Sequence, residues 1–358
     1  MLRWLSCVVG LGLAGTALAE DAKDPRKLGV TDLAQVDEDF ALQGEYAGVL
    51  CLQGQSQQVG LQVVAGGNGV FEALLYPGGL PGNGFSGAPR TRLAGLRGES
   101  SLTLTADGLT MALPPGGPVT VTDSRGQRLG ELQRWERYSS TTGAAPPAGA
   151  IVLFNGTDTG ELQNLKLTAD GLMGIGAETK RVWTDFQLHS EFRTPYMPHA
   201  RGQARGNSGF YLQRRYEVQV LDSFGLEPEF NHAGALYRTK SPDLNMSFPP
   251  LSWQTYDIHF TTARFDAGGQ KVAPARITVW HNGVPVQSGF EIPNKTGGGK
   301  PEGPEPLPIL FQDHGNAVQF RNVWIVDQST ATTTTCAVQS CDPCQMRPVR
   351  RQRMARHW

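Results

Sequence analysis

Three observations predict an all-β protein. Apolar residues alternate over short runs, and glycine or asparagine punctuates those runs. No window much longer than about ten residues carries a 3.6-residue apolar period. The composition agrees: 44 Gly and 24 Pro in 358 residues, without a collagen-like repeat, suit many short strands joined by turns. The expected architecture is a two-sheet antiparallel sandwich preceded by a smaller β-rich N-terminal module. A length of 358 residues accommodates about two such units. The net charge of −1 argues against a general nucleic-acid or polyanion binder.

The N-terminus carries the parts of a secretory signal: Arg3, an apolar run from Leu11 to Leu18, and Ala17-Leu18-Ala19 before Glu20 and Asp21. That run is too short to span the ~30 Å of a bilayer core, so no stable membrane span is expected. Residues 1–19 are therefore expected to be a signal peptide, cleaved near Ala19 to give a secreted or periplasmic product. Residues 20–37 form a polar leader. Cys7 falls within the signal, which leaves Cys51, Cys336, Cys341 and Cys344. An oxidising compartment favours disulfides, and the pairing stays open.

Residues 38–140 read as the N-terminal β-rich module. In "VGLQVVAGGNGVFEALLY" the "GGNG" between two alternating runs marks a hairpin, because glycine and asparagine supply the positive φ of a tight turn. "YSSTTGAAPPAGA", residues 138–150, has no periodicity and contains the expected linker, 141–149. Strand patterns then resume over 150–328, where they suffice for two packed antiparallel sheets. Residues 329–358 form a Cys/Arg-rich tail: a threonine run, three cysteines and "RPVRRQRMARHW". Such a run is either a solvated end or a contact with a surface or partner.

"GNSGFYLQRRYEVQVLDSFG", residues 206–225, departs from packing logic by placing Glu217, Gln219 and Asp222 within six positions. Side chains alternate along a strand, so Glu217 and Gln219 share one face and Val218 and Val220 the other. A β-bulge after Gln219 would add Asp222 to the first face; without it, Asp222 ends the strand in a turn. Counting back by twos extends the face through Arg215 and Gln213 to Tyr211. Glu217 is alternatively a partner of Arg214 or Arg215, and Tyr211 a half-buried strand aromatic. Trp183 and Trp253 are candidate sugar platforms or core residues.

The acid-x-amide-x-x-acid pattern resembles the E-x-D-x-x-E strand of lichenase- and laminarinase-type β-glucanases, with Gln219 for the central acid and Asp222 for the last. A closer resemblance is to the 3-keto-disaccharide hydrolase family. It is carried by "AGAIVLFNGTD" (148–158), residues 206–225, "WQTYDIHFTTARFD" (253–266), "HNGVPV" (281–286) and "LFQDHGNAVQFRNVWI" (310–325). The resemblance implies a lectin/glucanase-like jelly roll and a secreted hydrolase acting on 3-keto-glycosides by base-promoted elimination and hydration. Such chemistry needs one base, an electrophile for the enolate oxygen and groups that hold the sugar.

Glu217, Asp222 and His314 are the catalytic candidates, with either acid as base or metal ligand. Gln219, Gln213, Tyr211, Asn207 and Gln312 are the candidate sugar holders. His314 in "QDHGN" alternatively hydrogen-bonds a turn, and Asn207 sets the entry of the strand. A divalent metal would suit an enolate, although the sequence has no dedicated metal motif. Two other readings stay open: a carbohydrate-binding protein without catalysis, and an interaction protein that uses the jelly roll as scaffold.

Overall fold

The computed structural model describes Lys27 and residues 29–329. The expected signal peptide and most of the tail, with Cys336, Cys341 and Cys344, lie outside the described residues; Cys51 is exposed. Among the described residues there is no α-helix, and no helix is long and apolar enough to cross a membrane. The protein is all-β.

Among the described residues, eight strands from Gly44–Leu52 to Arg128–Trp135 close a barrel, in which the first strand pairs with both the second and the eighth. Closure leaves no free strand edge. The period-two pattern shows why these residues do so: in Leu102–Ala106, Leu102 and Leu104 are buried inside while Thr103 and Thr105 face water. The expected "GGNG" hairpin is present, with Asn68 at φ 56° and Gly69 at φ 73°.

Beyond the barrel, a six-stranded sheet faces a five-stranded one. The first runs in the order Val284–Ile292, Ala275–His281, Gln254–Thr261, Phe186–Arg193, Gln319–Asp327, Ile151–Phe154. The second runs Leu162–Gln163, Glu178–Thr179, Leu310–Phe311, Ser208–Leu212, Tyr216–Val220. Their inner faces share one core, where Phe192 and Tyr256 of the first sheet meet Phe210 of the second at ring distances of 6.4 and 5.6 Å. This is a β-sandwich. Phe210, Leu212, Tyr216, Val218 and Val220 point into that core. Alternation therefore turns Gly209, Tyr211, Glu217 and Gln219 onto the opposite face.

Barrel and sandwich are fastened by buried polar contacts. Arg137 Nε donates to Glu45 Oε2 at 2.7 Å, and its guanidinium lies 5.0 Å from the Phe248 ring centre. The Tyr196 hydroxyl donates to Asp37 at 2.7 Å. The segment expected as a linker is tied down: Thr141 Oγ1 lies 2.8 Å from Thr255 Oγ1, and the Gly143 N–H donates to Glu191 at 2.6 Å.

Candidate active site

Residues 208–220 form a hairpin rather than one long strand. Ser208–Leu212 and Tyr216–Val220 pair in unbroken register, with Gly209 opposite Gln219 and Tyr211 opposite Glu217. The reversal occurs at Gln213 and Arg214, whose φ angles of 49° and 51° are left-handed turn values. Two expectations change as a result. Tyr211 does share a face with Glu217, but as its cross-strand neighbour. Gln213 leaves that face: it is buried at the sheet end, donating to the Trp183 carbonyl at 2.5 Å and accepting from Thr262 Oγ1 at 2.8 Å. It braces the turn and is not placed to hold a sugar.

Of the two alternatives for Asp222, a bulge after Gln219 or a turn, the structure takes the turn, since pairing runs without a shift to Val220 and stops. Asp222 lies past the paired strand and turns to Arg205, whose Nε donates to Oδ2 at 2.6 Å; Oδ1 accepts from the Phe224 N–H at 3.3 Å. A buried carboxylate needs a cation and donors of its own, and Asp222 has both. Glu217 and Asp222 therefore do not form a pair.

Glu217 is different. It is 2 % exposed, and its Oε2 has no hydrogen-bond partner. Burial pushes its carboxyl from 4.5 up to about 7, against the opposing influence of the Tyr211 hydroxyl. Burial and then the Glu217 charge raise Tyr211 in turn, so its phenol stays a donor at neutral pH. The backbone at Gly297 roofs this pair: a Cβ there would lie 3.6 Å from Glu217 Oε2 and 2.5 Å from the Tyr237 ring. Gly297 also has φ 34°, so glycine is required by both space and conformation.

Beside Glu217, the Gln219 amide donates to Gln203 Oε1 at 3.0 Å and Asn207 Oδ1 at 3.3 Å. The opposite amide orientation puts its nitrogen 3.1 Å from Glu217 Oε1. Asn207 Nδ2 donates to the Gln203 carbonyl at 2.8 Å. Gln203 is a residue that sequence reasoning missed, because "HARGQARGN" is a loop with no period to fix where its side chains point. Its amide four places before Asn207 was the available signal.

Gln203 lines an open cleft of about 870 Å³, together with His199, Arg201, His314 and Asn316. Ligand clefts typically hold ~300–1,000 Å³. His314 is exposed on this wall and, among the described residues, hydrogen-bonds neither Glu217 nor Asp222. Gln312 is joined to the hairpin through its N–H, which donates to the Gly209 carbonyl at 2.8 Å, and its Oε1 is buried without a partner. Trp183 is buried and Trp253 lies under Arg321 at 3.9 Å, so neither offers the cleft a bare ring. Among the described residues, no three His, Cys, Asp or Glu side chains are grouped to hold a metal ion.

A sheet face with one perturbed carboxyl, a tyrosine and converging amides, joined to the open cleft through Gln203, carries groups of the kind that bind a polyhydroxylated ligand. Residues 132–326 match the 3-keto-α-glucoside-1,2-lyase-like domain, and the chain belongs to that family. The match begins inside the last barrel strand, Arg128–Trp135. Among solved structures, a candidate glycosyl hydrolase of Parabacteroides distasonis is 32% identical, covering 51% of this chain and 84% of its own, with a TM-score of 0.46. Another from the same organism is 22% identical, covering 50% of this chain and 94% of its own, with a TM-score of 0.36. The curated proteins contain no match.

Proposed function

We propose that the protein is a secreted glycoside-cleaving enzyme of the lectin/glucanase-like jelly-roll type, acting on 3-keto-glycosides with Glu217 as its base. The observation that carries this reading is Glu217 Oε2, buried without a hydrogen-bond partner, where burial pushes the carboxyl up to about 7. A base works best when its pKa lies near the operating pH. The family assignment supports the substrate class.

The chemistry follows from a ketone at sugar C3, which makes the hydrogen on C2 acidic. Glu217 takes that proton, and the C2–H electron pair forms an enolate with the C3 oxygen. A phenol held protonated, as Tyr211 is, can donate to that oxygen. The enolate then re-forms the C3 ketone and expels the C1 oxygen, which takes the proton from the Glu217 acid to leave as alcohol, with a C1–C2 double bond behind it. Water adds to C1 and a proton returns to C2, so the net change is hydrolysis. Gln219, Asn207 and Gln203 supply hydrogen bonds for the sugar hydroxyls. Glu217 is 2 % exposed beneath the Gly297 backbone, so this reading requires the segment around Gly297 to move for substrate to enter. Three consecutive glycines, Gly297 to Gly299, suit that movement.

Incubation of the purified protein with a 3-keto-disaccharide in deuterated water tests the reading. The expected result is monosaccharide release with deuterium at C2 of the product. Sugar binding without release, with or without added divalent metals, would leave a carbohydrate-binding protein instead.

A further inference from the structure

We propose that the open cleft selects an anionic ligand, a sugar that carries a carboxylate or a phosphate group. This narrows the substrate class of the function proposed above and rests on that reading for turnover, while the binding itself does not. The wall of the 870 Å³ cleft carries Lys27, His199, Arg201 and His314, and among the described residues no Asp or Glu lines it. Across the whole chain, 33 acids balance 32 Lys and Arg, so this wall is a local departure from that balance.

Arg201 supplies a fixed charge. Its Nη1 donates to the carbonyls of Pro198 at 2.6 Å and Ala200 at 2.8 Å, and its Nη2 to the Gly66 carbonyl of the barrel at 3.0 Å. Carbonyls orient a guanidinium without cancelling its charge, so the cation is in place before a ligand arrives. His199 is seated against the barrel backbone. A Cβ on Gly67 would lie 2.4 Å from its ring, and glycine, here at φ 82°, leaves it that room. Neighbouring acids do not offset the wall. Asp313 is turned to Lys166 at 3.2 Å and to the Gly315 N–H at 3.0 Å. Asp222 is bound to Arg205, and Glu72 lines an adjoining recess that Arg201 also borders. Setting Glu72 and Asp222 against Lys27, Arg201 and Arg205 leaves one positive charge, three minus two, before either histidine titrates.

The hydrogen bonds agree with the charge. Sugar hydroxyls donate as well as accept, so a wall for a neutral sugar needs free acceptors. Both amide oxygens of this wall are taken: Gln203 Oε1 accepts from Gln219 Nε2 at 3.0 Å, and Asn316 Oδ1 accepts from the Asn207 N–H at 2.8 Å. What the side chains have left to offer is chiefly donors, and an ionised carboxylate or phosphate is the matching acceptor. Through Gln203 the same wall is joined to the hairpin face.

Calorimetric titration of the full protein at low salt with glucose, glucuronate, glucose 6-phosphate and inorganic phosphate tests this. At least one charged sugar is expected to bind roughly tenfold tighter than glucose or better, with the margin shrinking as salt screens the wall. A preference for glucuronate alone assigns the carboxylate, and one for glucose 6-phosphate alone assigns the phosphate. Lys27→Glu and His314→Glu put acids at exposed positions of the wall, and each should bring the ratio toward one. Glucose binding as tightly as both charged sugars, no binding of any sugar, or a preference untouched by both variants would overturn the proposal. So would inorganic phosphate binding as tightly as glucose 6-phosphate while glucuronate does no better than glucose. Turnover of a neutral 3-keto-disaccharide is measured alongside. A charged-sugar preference without turnover keeps the anion site and removes the lyase reading; turnover without that preference does the reverse.

Discussion

Tyr211 and Glu217 stand directly opposite each other across the hairpin, on the face turned away from the sandwich core. Five residues of sequence separate them in the paired turn, yet they meet as cross-strand neighbours. The pairing places a phenol that stays protonated beside a carboxyl that titrates near neutrality. An acid and a base are thus set in contact by strand register alone.

The active form of a general base is the carboxylate. Turnover of a 3-keto-disaccharide should therefore rise with pH through about 7, where Glu217 loses its proton. Glu217→Gln should lower kcat at least ~100-fold, the low end for a proton-transfer group. A rate profile flat from acid to alkaline pH would show that another group carries the step.

The same shift has a consequence for stability with the opposite appeal. Its folded value of about 7 lies above the ordinary 4.5, so the native state prefers the protonated form. That stabilising contribution is fully present below the unfolded value and is lost as pH rises through the folded one. The difference between 4.5 and about 7 corresponds to about 3 kcal/mol of burial cost for the charge at alkaline pH. Glu217→Gln should thus be more stable than the unaltered protein at pH 8 and equal to it at pH 4, as measured by urea unfolding. Equal midpoints at both values would mean that Glu217 is not held in this way.

Asp222 should behave as a structural residue. Asp222→Asn strands the Arg205 guanidinium, and breaking one partner of a buried ion pair costs about 3–5 kcal/mol. The folded protein should keep its kcat within a few-fold at low temperature. A kcat loss matching that of Glu217→Gln, in a variant with unchanged thermal stability, would restore Asp222 to the chemistry.

Gln203 joins the cleft to Gln219 and Asn207. Gln203→Ala removes an acceptor and a sugar contact at once, so KM should rise roughly tenfold, about one hydrogen bond, with a smaller change in kcat. Steady-state kinetics separates the two constants. A pure kcat effect would place Gln203 in the proton path instead.

Much of this was legible in one dimension. Alternation named the strands, and the "GGNG" turn, the separation of Glu217 from Val218, and the family's segments all follow from local pattern. The failures cluster where one segment reverses on itself. "YLQRRYEVQV" reads as an unbroken alternation, because Gln213 and Arg214 are not the glycine or asparagine that usually advertises a left-handed turn. The missed hairpin misplaced Gln213, while alternation alone left Asp222 open between a bulge and a turn, and the structure takes the turn. Gln203 was illegible for a different reason, since a loop has no period to say which side chains point where.

By itself, then, the sequence determined the all-β class, the strands and which residues of each strand share a face, because strand periodicity is a property of the local backbone. Tertiary structure decided everything that depends on what lies across the gap. It set Tyr211 against Glu217, gave Asp222 to Arg205, and roofed Glu217 with the backbone of Gly297. A carboxyl's pKa and an ion pair's partner depend on the density and charge of neighbours distant in the chain, and those neighbours exist only once the sheets have packed.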